Sequence, residues 1–326
     1  MKVLVAGYGS MGRRRIRLLR QIYPEIKIVC VDSNPERLEQ IKNDGLEGYT
    51  DLKTAISKQP EIAFVCTSPE HHAEIILELV ESGIHVFTEL NLASTDYNKI
   101  IETAGKKGVI VFMSSTMLYD KRINYINEAV EKETQPLIYI YHVGQYLPDW
   151  HPWENYKDFF AGKKETNGVR EIFAIQLPWI IDTFGPIESV SANGQKCTNM
   201  DIDYNDSIIA SIKHKSGNIG VFIADIVSRK ATTYLEVIGE NIHIFWYGHN
   251  DDLFLFDMEE KRLKAVPIYD SIEHMEGYSD NIIENRYLDE IREFLRCVYK
   301  QGKPHYSLEK DAYTLSIIDR IEGMNG

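Results

Sequence analysis

The sequence predicts an α/β protein of two domains, in which an N-terminal doubly wound parallel sheet precedes an α+β domain with a large antiparallel sheet. Three observations predict it. Short apolar runs alternate with helical patterns over the first third of the chain, a glycine-rich turn follows the first run, and after about residue 118 long runs of alternating polar and apolar residues begin. The 326 residues suffice for both domains, which we predict at 1–118 and 119–326.

The first domain shows five short apolar runs, each followed by an amphipathic segment or a loop: KVLVAG, KIVCVD, EIAFVC, IHVFTE and VIVFMS. Runs that are apolar on both faces are typical of parallel strands covered by helices on both sides. Helical spacing between the runs predicts helices over Pro69–Ser82 and Thr95–Lys107, with glycines at the C-cap positions.

The second domain begins with a predicted helix over Lys121–Glu131. Six runs that read as strands follow: LIYIYHVGQYL, DSIIASIKHKSG, NIGVFIADIVS, TYLEVIGE, NIHIFWYG and DLFLFDM. Alternation with tight turns predicts an antiparallel sheet with one buried face. Two helices, over Tyr287–Tyr299 and Leu308–Ile321, are predicted to close the chain.

Composition narrows the class of partner. Hydrophobic residues make up 44% of the chain and charged residues 26%, as in soluble globular proteins. The net charge of −13 disfavours binding to nucleic acid or to an anionic membrane surface. No apolar run approaches the roughly 20 residues that span a bilayer, and the N-terminus lacks the apolar core of a signal peptide. We therefore predict a cytoplasmic protein with a small-molecule partner.

The segment VLVAGYGSMGRRR carries the motif GxGxxG directly between a predicted strand and a predicted helix. In this context the glycines allow a tight turn, close approach of a pyrophosphate, and close packing of helix on strand, as in a Rossmann nucleotide-binding domain. An acid at the end of the second strand would accept hydrogen bonds from the adenosine ribose and repel a 2′-phosphate, so we predict NAD, with NADP less favoured. Arg14 and Arg15 are expected in solvent. The predicted cofactor-binding residues here are Gly7, Gly9, Ser10, Met11, Gly12 and Asp32.

A second loop at the same edge of the sheet follows the third run, in CTSPEHHAEI. Thr67 and Ser68 are predicted cofactor contacts because loops at the carboxyl edge of a doubly wound sheet contact the dinucleotide. His72 is a candidate substrate contact, although a histidine early in a helix is also typical of packing or of the surface. Adjacent His71 and His72 point in different directions on a helix, and we predict no metal site.

These motifs, the segment GIHVFTELNLA and the C-terminal sheet together resemble the glucose-fructose oxidoreductase, inositol dehydrogenase and MocA (Gfo/Idh/MocA) family over essentially the whole chain. The resemblance implies NAD or NADP in the first domain and redox chemistry on sugars, cyclitols or nucleotide sugars. The family motif E-K-P stands here as Glu89, Leu90 and Asn91. It implies that Glu89 touches the nicotinamide end, while the lysine that aids proton transfer is absent.

The second family feature is a helix that carries an aspartate, a histidine three positions later and an aspartate three beyond. A gapless match with NGVREIFAIQLPWIIDTFG places Ile172, Ile175 and Pro178 at those positions, so the usual acid/base histidine is absent too. Glu171 and Gln176 are the polar candidates for a ligand contact in this segment. The alternative is that they cap the helix or lie at the surface. Pro178 is expected to kink this helix or to break it in two.

Just upstream, YHVGQYLPDWHPWENYKDFF concentrates aromatic, acidic and imidazole side chains in a segment that leaves a strand. Aromatic rings stack on apolar sugar faces, and carboxylates or imidazoles supply hydrogen bonds and proton transfer. The alternative is a loop held by aromatic burial against the sheet. The segment holds His142, Tyr146, Asp149, Trp150, His151 and Trp153. Of these, Asp149, His151 and Tyr146 are the strongest candidates for substrate contact, and Trp150 is a further one.

The predicted function is an NAD-dependent oxidoreductase that transfers hydride to or from a sugar, cyclitol or nucleotide sugar with a non-standard acid/base. Its candidate catalytic residues are Glu89, Tyr146, His151 and Glu171, and its candidate substrate contacts are His72, Asp149, Trp150 and Gln176. One alternative is a catalytically inactive or non-redox dinucleotide-binding protein, either a sensor or a pathway partner. Another is a reaction in which tightly held NAD oxidises and then re-reduces the same substrate.

The second sheet also predicts a homo-oligomer, a dimer or a tetramer. Its outer face carries Tyr234, Phe245 and Tyr247 on alternating strands. Such an apolar face commonly packs against its copy about a two-fold axis.

Overall fold

The computed structural model describes residues 1–151, 155–248, 252–269, 283–300 and 302–323, so Trp153 lies outside the described residues. The chain forms two compact units: Met1–Ser115 with Tyr287–Ala312, and Thr116–Arg286 with Tyr313–Gly326. The predicted fold class is confirmed, because the first unit holds a parallel sheet and the second a separate, mostly antiparallel one.

The first sheet has six parallel strands in the order β3-β2-β1-β4-β5-β6. The five predicted runs are all strands, and the additional strand is short, exposed and not predicted. The strands are β1 Lys2–Ala6, β2 Lys27–Val31, β3 Glu47–Tyr49, β4 Ile62–Val65, β5 His85–Thr88 and β6 Val111–Met113. Both β1 and β4 are buried almost throughout, as expected of central strands covered on both faces.

Helices connect these strands. They are α1 Ser10–Ile22, α2 Pro35–Asn43, α3 Leu52–Ile56, α4 His72–Glu81 and α5 Tyr97–Lys107. A short 3₁₀ turn, Pro69–His71, precedes α4. Asn34 caps α2 and Asp51 caps α3 through side-chain acceptors, and Gly108 ends α5 in the left-handed conformation that glycine adopts without strain.

The second unit begins with α6 Lys121–Val130 and contains the long helix α7 Gly168–Phe184. Its eight-stranded sheet runs in the order β14-β13-β12-β11-β7-β10-β9-β8. The strands are β7 Ile138–Gly144, β8 Ile187–Gln195, β9 Ser207–His214, β10 Ile219–Asp225, β11 Thr232–Ile238, β12 His243–Trp246, β13 Leu253–Asp257 and β14 Arg262–Ala265. Neighbouring strands are antiparallel except β7 and β10, which pair in parallel.

Helix α7 packs on the inner face of this sheet through aromatic rings. The ring of Phe173 lies 4.7 Å from that of Phe222, and Trp179 meets Tyr141 edge-on at 5.1 Å. Pro178 does not break the helix in two, contrary to one of the two sequence expectations, since α7 is continuous through it. Its neighbour Trp179 is fully buried, and this packing holds the turn that lacks one backbone hydrogen bond.

The chain closes with α8 Glu284–Tyr299 and α9 Leu308–Ile321, near the predicted bounds. Helix α8 packs on the first sheet, where the ring of Phe294 lies 5.5 to 5.6 Å from those of Phe64, Phe87 and Phe112. Residues 287–312 therefore belong to the first unit, whereas the change of sequence pattern assigns them to the second. In the described part of the chain, no helix is both long enough and apolar enough to cross a membrane.

Candidate active site

The turn between β1 and α1 accepts only glycine at two positions. Gly7 has φ +93°, and a Cβ there would lie 2.6 Å from the carbonyl oxygen of Cys66 and 2.9 Å from the amide nitrogen of Thr67. A Cβ on Gly12 would lie 2.0 Å from the carbonyl oxygen of Gly7. Backbone lies on the other side of each contact, so neither clash can be relieved by moving a side chain. The glycine turn, the end of β4 and the first turn of α1 are thus packed together as predicted.

Helix α1 presents its N-terminus at this turn. Gly9 precedes the helix, and a Cβ built on it would meet no atom closer than 3.9 Å, so the backbone there is open to a neighbour. The first turn, which includes Ser10 and Met11, has no acidic residue to neutralise the positive end of the helix dipole. An open backbone at an uncompensated helix N-terminus suits a phosphate group.

Asp32 lies beside the glycine turn with its carboxylate fixed by backbone. The amide of Tyr8 donates to its Oδ2 at 2.7 Å, and the amide of Asn34 donates to its Oδ1 at 2.9 Å. These bonds leave acceptor capacity on both oxygens. Nη1 of Arg37, whose side chain is half exposed, lies 3.5 Å from Oδ2. This guanidinium, which has no sequence motif to mark it, neighbours both Asp32 and Gly9.

The second predicted cofactor loop lies at the same edge. Ser68 precedes the 3₁₀ turn, and the carbonyl of Thr67 accepts a hydrogen bond from His72 Nε2 at 2.8 Å. The hydroxyl oxygen of Thr67 is buried and has no hydrogen-bond partner among the described residues. An unpartnered buried hydroxyl costs free energy, which a bound ligand can recover.

Glu89 directly follows β5 and takes part in a buried cluster of charges. Arg15 Nε lies 2.5 Å from Glu89 Oε1, and Arg15 Nη2 lies 3.2 Å from Oε2. The same Nη2 lies 2.8 Å from Oε2 of Glu290, in α8. Glu290 Oε1 accepts hydrogen bonds from the hydroxyl of Ser114 at 3.0 Å and the amide of Ser115 at 2.7 Å. Burial raises the pKa of Glu290, and Arg15 opposes that shift.

Two carboxylates thus share one guanidinium. The Arg15 side chain is completely buried and lies over the ring of Phe87, 4.4 Å from its centre. Although burial alone lowers the pKa of Arg15, the charges of Glu89 and Glu290 raise it above its ordinary value. Glu89 is therefore held next to a permanent cation, which suits positioning of a ligand better than exchange of a proton.

His72 does not have the role that the sequence predicts. It is 1% exposed, and both ring nitrogens face protein oxygens, the carbonyl of Thr67 and Oδ1 of Asn91. No ring nitrogen is left to contact a substrate. His72 is instead an internal support of the cofactor loop.

In the second unit, Glu171 has an unusual environment for a carboxyl group. It lies in the first turn of α7, which Asn167 caps by accepting the amide of Arg170 at 2.7 Å. Its Oε2 is buried and has no hydrogen-bond partner in the described part of the chain. Burial raises the pKa of Glu171 to about 8. A carboxyl group that is mostly protonated at neutral pH can act as a general acid and, once ionised, as a base.

Gln176, the other polar candidate in α7, belongs to the core. It is 9% exposed, and its Oε1 accepts hydrogen bonds from the hydroxyl of Tyr141 at 2.8 Å and from Nε1 of Trp179 at 2.9 Å. The predicted substrate contact is thus replaced by a role in joining α7 to β7, because two buried aromatic donors need an acceptor.

The segment after β7 is held mainly by aromatic packing. Trp150 donates its indole N–H to the carbonyl of Gln145 at 3.1 Å, and its ring reaches the start of α7. The guanidinium of Arg229 lies over the ring of Tyr146, 3.6 Å from its centre. His151 packs edge-on against a phenylalanine ring, and Asp149 is exposed. Trp150 is therefore near the turn of α7 that carries Glu171.

Comparison with known proteins shows which family the N-terminal residues match. Residues 1–115 match the Gfo/Idh/MocA family model, described as an oxidoreductase family with an NAD-binding Rossmann fold. The chain thus resembles this family, most directly in its first 115 residues. It is 25% identical over 324 residues to myo-inositol 2-dehydrogenase of Thermotoga maritima, covering 93% of this chain and 90% of that one.

Solved structures of two dehydrogenases share the fold. The WlbA dehydrogenase of Chromobacterium violaceum, in complex with NADH and UDP-GlcNAcA, superposes with a TM-score of 0.78 at 16% identity, over 98% of this chain and 92% of that one. Levoglucosan dehydrogenase in complex with NADH gives a TM-score of 0.81 at 16% identity, over 99% and 96% of the two chains.

NAD is the cofactor that the matching family model describes, and the first unit fits it. The glycine turn leaves space that a Cβ would fill, the hydroxyl of Thr67 is unpartnered among the described residues, and Asp32 presents a fixed carboxylate. Gly7, Gly9, Gly12 and Asp32 would hold the pyrophosphate and the adenosine ribose. Among the residues described, no group of three or more His, Cys, Asp and Glu side chains is placed to bind a metal ion.

Sequence reasoning missed the two cluster partners of Glu89. Arg14 and Arg15 are 4% and 0% exposed, so the expectation that they are solvated is wrong. The burial of Arg15 could have been predicted from helical spacing, because it lies three residues after Gly12 and four before Leu19, on the buried face of α1. Glu290 lies 275 residues away in sequence and has no local signature.

Proposed function

We propose that this chain is an NAD-dependent oxidoreductase that moves hydride between NAD and a hydroxyl-bearing carbon of a sugar, cyclitol or nucleotide sugar. Bound NAD would supply the hydride acceptor or donor. The observation that carries the proposal is Glu171, at the start of α7. Its Oε2 is buried and has no hydrogen-bond partner among the described residues, and burial raises its pKa to about 8. It offers proton transfer in a helix from which the family histidine is missing.

The chemistry requires such a group. Oxidation of a secondary alcohol releases hydride from carbon and a proton from the hydroxyl, so a base must accept that proton. With a pKa of about 8, Glu171 is mostly protonated at pH 7 and ionised above pH 8. Alcohol oxidation should therefore become faster as pH rises through about 8, and carbonyl reduction should become slower.

The substrate class rests on two kinds of support. The relative from Thermotoga maritima is a myo-inositol 2-dehydrogenase, and the WlbA structure contains UDP-GlcNAcA. In this chain, Trp150 and Tyr146 offer aromatic surface, and Arg229 offers a cation on the Tyr146 ring. Aromatic faces stack on sugars, and a guanidinium pairs with carboxylate or phosphate. Tyr146, Asp149, Trp150 and His151 remain the proposed substrate contacts.

Turnover tests this proposal. Wild-type protein with NAD is incubated with a panel of sugars, cyclitols and nucleotide sugars while reduced nicotinamide is followed. We expect NADH with at least one class, and Glu171→Gln should lower kcat about 100-fold or more. Glu165→Gln, which removes a charge from an exposed residue just before α7, is the matched control and should leave kcat unchanged. Equal kcat for Glu171→Gln and wild type would refute the role of Glu171.

A second candidate is a dinucleotide-binding protein without redox turnover. It is favoured by the apolar residues Ile172, Ile175 and Pro178 at the family acid and histidine positions, and by the pairing of Glu89 with Arg15. It predicts NAD binding and no NADH with any member of the panel. Conversion of substrate while bound NAD shows no net change would instead indicate oxidation and re-reduction of the same molecule.

We also propose that the outer face of the second sheet mediates homo-oligomerisation. Ile138, Ile209, Ile219 and Tyr247 on or beside this sheet are 41% to 50% exposed. Tyr234 and Phe245 lie close to Tyr247 in the same aromatic group. An exposed apolar sheet face of this kind supports packing against a second copy.

A further inference from the structure

The segments that follow β7 and β10 are joined by backbone hydrogen bonds, so the two strands stay connected beyond their ends. The amides of residues 145–147 donate to three carbonyl oxygens of residues 225–228, at 2.8 to 3.2 Å. The bonds run from Gln145 to Asp225, from Tyr146 to Ser228 and from Leu147 to Ile226. Arg229 is the next residue after this joined segment, and its backbone is therefore held beside the segment that carries the proposed substrate contacts.

Asp225 fixes the turn after β10. Its Oδ1 accepts the amides of Val227 at 2.9 Å and Ser228 at 2.8 Å. Its Oδ2 accepts the Ser228 hydroxyl at 3.0 Å and lies 2.7 Å from Nε2 of His142. Although burial raises the pKa of Asp225, these hydrogen bonds lower it below its ordinary value, so the carboxylate is ionised at neutral pH. A Cβ on Gly144 would overlap Oδ2, so glycine lets this carboxylate pack directly on β7.

Arg229 extends from this turn onto an aromatic ring. Its guanidinium lies 3.6 Å from the centre of the Tyr146 ring, which is the distance of a stacked contact. Stacking uses the face of the guanidinium, whose five N–H donors point outward in its plane. The side chain is exposed, and among the described residues it makes no hydrogen bond or ion pair, including none with nearby Asp149. The edge of the guanidinium is therefore available to an anion.

The same joined segment packs against the first turn of α7. A Cβ built on Gly168 would lie 3.1 Å from the side chain of Ile226 and 3.5 Å from that of Leu147. Glu171 follows Gly168 by three residues, which is about 4.5 Å along the helix axis. Arg229 therefore extends from the segment that contacts the turn of α7 where the proposed acid/base lies.

We propose that Arg229 binds an anionic group of the substrate, and that the substrate is therefore an acidic sugar or a nucleotide sugar, not a neutral sugar or a cyclitol. The inference rests on the proposed function and narrows its substrate class. A carboxylate and a phosphate both present paired oxygens that accept two N–H groups from one guanidinium edge. Tyr146 holds that edge in a fixed orientation, and the turn at Asp225 holds the backbone from which Arg229 extends.

Titration calorimetry with saturating NADH tests the proposal without any hydride transfer. The probes are glucose, glucuronate, UDP and UDP-glucose, so that a carboxylate and a phosphate are each compared with a neutral sugar. We expect glucuronate or UDP-glucose to bind at least about tenfold more tightly than glucose, since a charge-assisted hydrogen bond contributes roughly that much. Tighter binding of glucuronate alone assigns a carboxylate, and tighter binding of UDP and UDP-glucose assigns a phosphate. If no acidic probe binds more tightly than glucose, the proposal is overturned.

The variant Arg229→Gln locates the contact. It removes the guanidinium from an exposed position, and the difference in affinity between the acidic probe and glucose should fall about tenfold or more. Lys230→Gln removes the same charge from the next exposed residue and is the matched control, which should change that difference by less than about twofold. Equal effects of the two substitutions would show a general electrostatic attraction and would overturn the assignment to Arg229.

The outcome can be told apart from that of the proposed function. Binding of an acidic probe that depends on Arg229, in a protein that never forms NADH, would support this inference and contradict the oxidoreductase. Where an acidic substrate is oxidised, Arg229→Gln should raise its KM by a larger factor than it lowers kcat, because the contact is made before the reaction. Oxidation of neutral sugars or cyclitols with the same kcat/KM as acidic ones would support the oxidoreductase and overturn this inference.

Discussion

Replacing Arg15 with methionine would leave two buried carboxyl groups without their cation. The guanidinium has no exposed surface and lies 2.5 Å from Glu89 and 2.8 Å from Glu290. Removing one member of a buried ion pair costs about 3 to 5 kcal/mol because the remaining charge stays in a low-dielectric interior. Methionine keeps much of the apolar stem over Phe87, so we expect a loss near the electrostatic value, about 4 kcal/mol at neutral pH.

This loss should depend on pH. Burial already raises the pKa of Glu290, and without the opposing charge of Arg15 its folded-state pKa should rise further above the unfolded value, so the variant gains protons on folding. Its stability is then greatest below the unfolded carboxyl pKa and is lost as pH rises through the higher folded pKa. The deficit relative to wild type should therefore be smallest at acid pH, where these carboxyl groups are protonated, and should grow as pH rises.

Thermal unfolding followed by circular dichroism measures the effect. For a unit of this size a loss of 4 kcal/mol should lower the Tm by roughly 10 to 15 °C at neutral pH. Arg17→Met, on the exposed face of the same helix, is the matched control and should change stability by less than about 0.5 kcal/mol. Adding Glu89→Gln and Glu290→Gln to Arg15→Met should recover much of the loss. An Arg15→Met variant as stable as the control at pH 8 would refute this account of the cluster.

Three further predictions concern the nucleotide turn and the outer sheet face. Gly12→Ala should abolish NAD binding measured by calorimetry, because the new Cβ would lie 2.0 Å from the carbonyl oxygen of Gly7. The control Gly105→Ala places its Cβ in open space on α5 and should bind NAD normally. Normal binding by both variants would contradict the packing argument. Asp32→Ala should weaken NAD binding about tenfold and reduce the preference for NAD over NADP, because the carboxylate no longer binds the ribose or repels a 2′-phosphate. An unchanged ratio of the Kd values for NADP and NAD would contradict this. Ile219→Lys should reduce the mass measured by sedimentation, and an unchanged oligomer would exclude this face as the interface.

The fold was predictable because its evidence is local. Runs such as KVLVAG alternate with helical segments, and the glycine spacing of Gly7, Gly9 and Gly12 has a direct steric cause in this structure. Strand β3 was not predictable, since three exposed or partly exposed residues carry no apolar period. The parallel pairing of β7 with β10 was also missed, because strand order in a sheet depends on contacts between distant segments.

The site was predictable only where one segment contains the evidence. Asp32 and Thr67 lie at the strand ends where the sequence predicts them. The partners of Glu89 come from other segments: Arg15 lies in α1, and Glu290, which binds the same guanidinium, lies in α8. Gln176 looks like a free polar residue in an apolar helix, but two aromatic donors from the core use its oxygen. The role of a polar residue such as Gln176 depends on its burial and its hydrogen-bond partners, and the sequence pattern does not show either.

The most direct test of the central claim is a single-turnover experiment that follows the absorbance of reduced nicotinamide. Protein is in excess over NAD, and sugars, cyclitols and nucleotide sugars are added in turn at about pH 8. The proposed function predicts stoichiometric NADH with at least one class, and a much slower appearance in Glu171→Gln with unchanged NAD binding. Tight NAD binding with no NADH and no conversion of any member of the panel would contradict it.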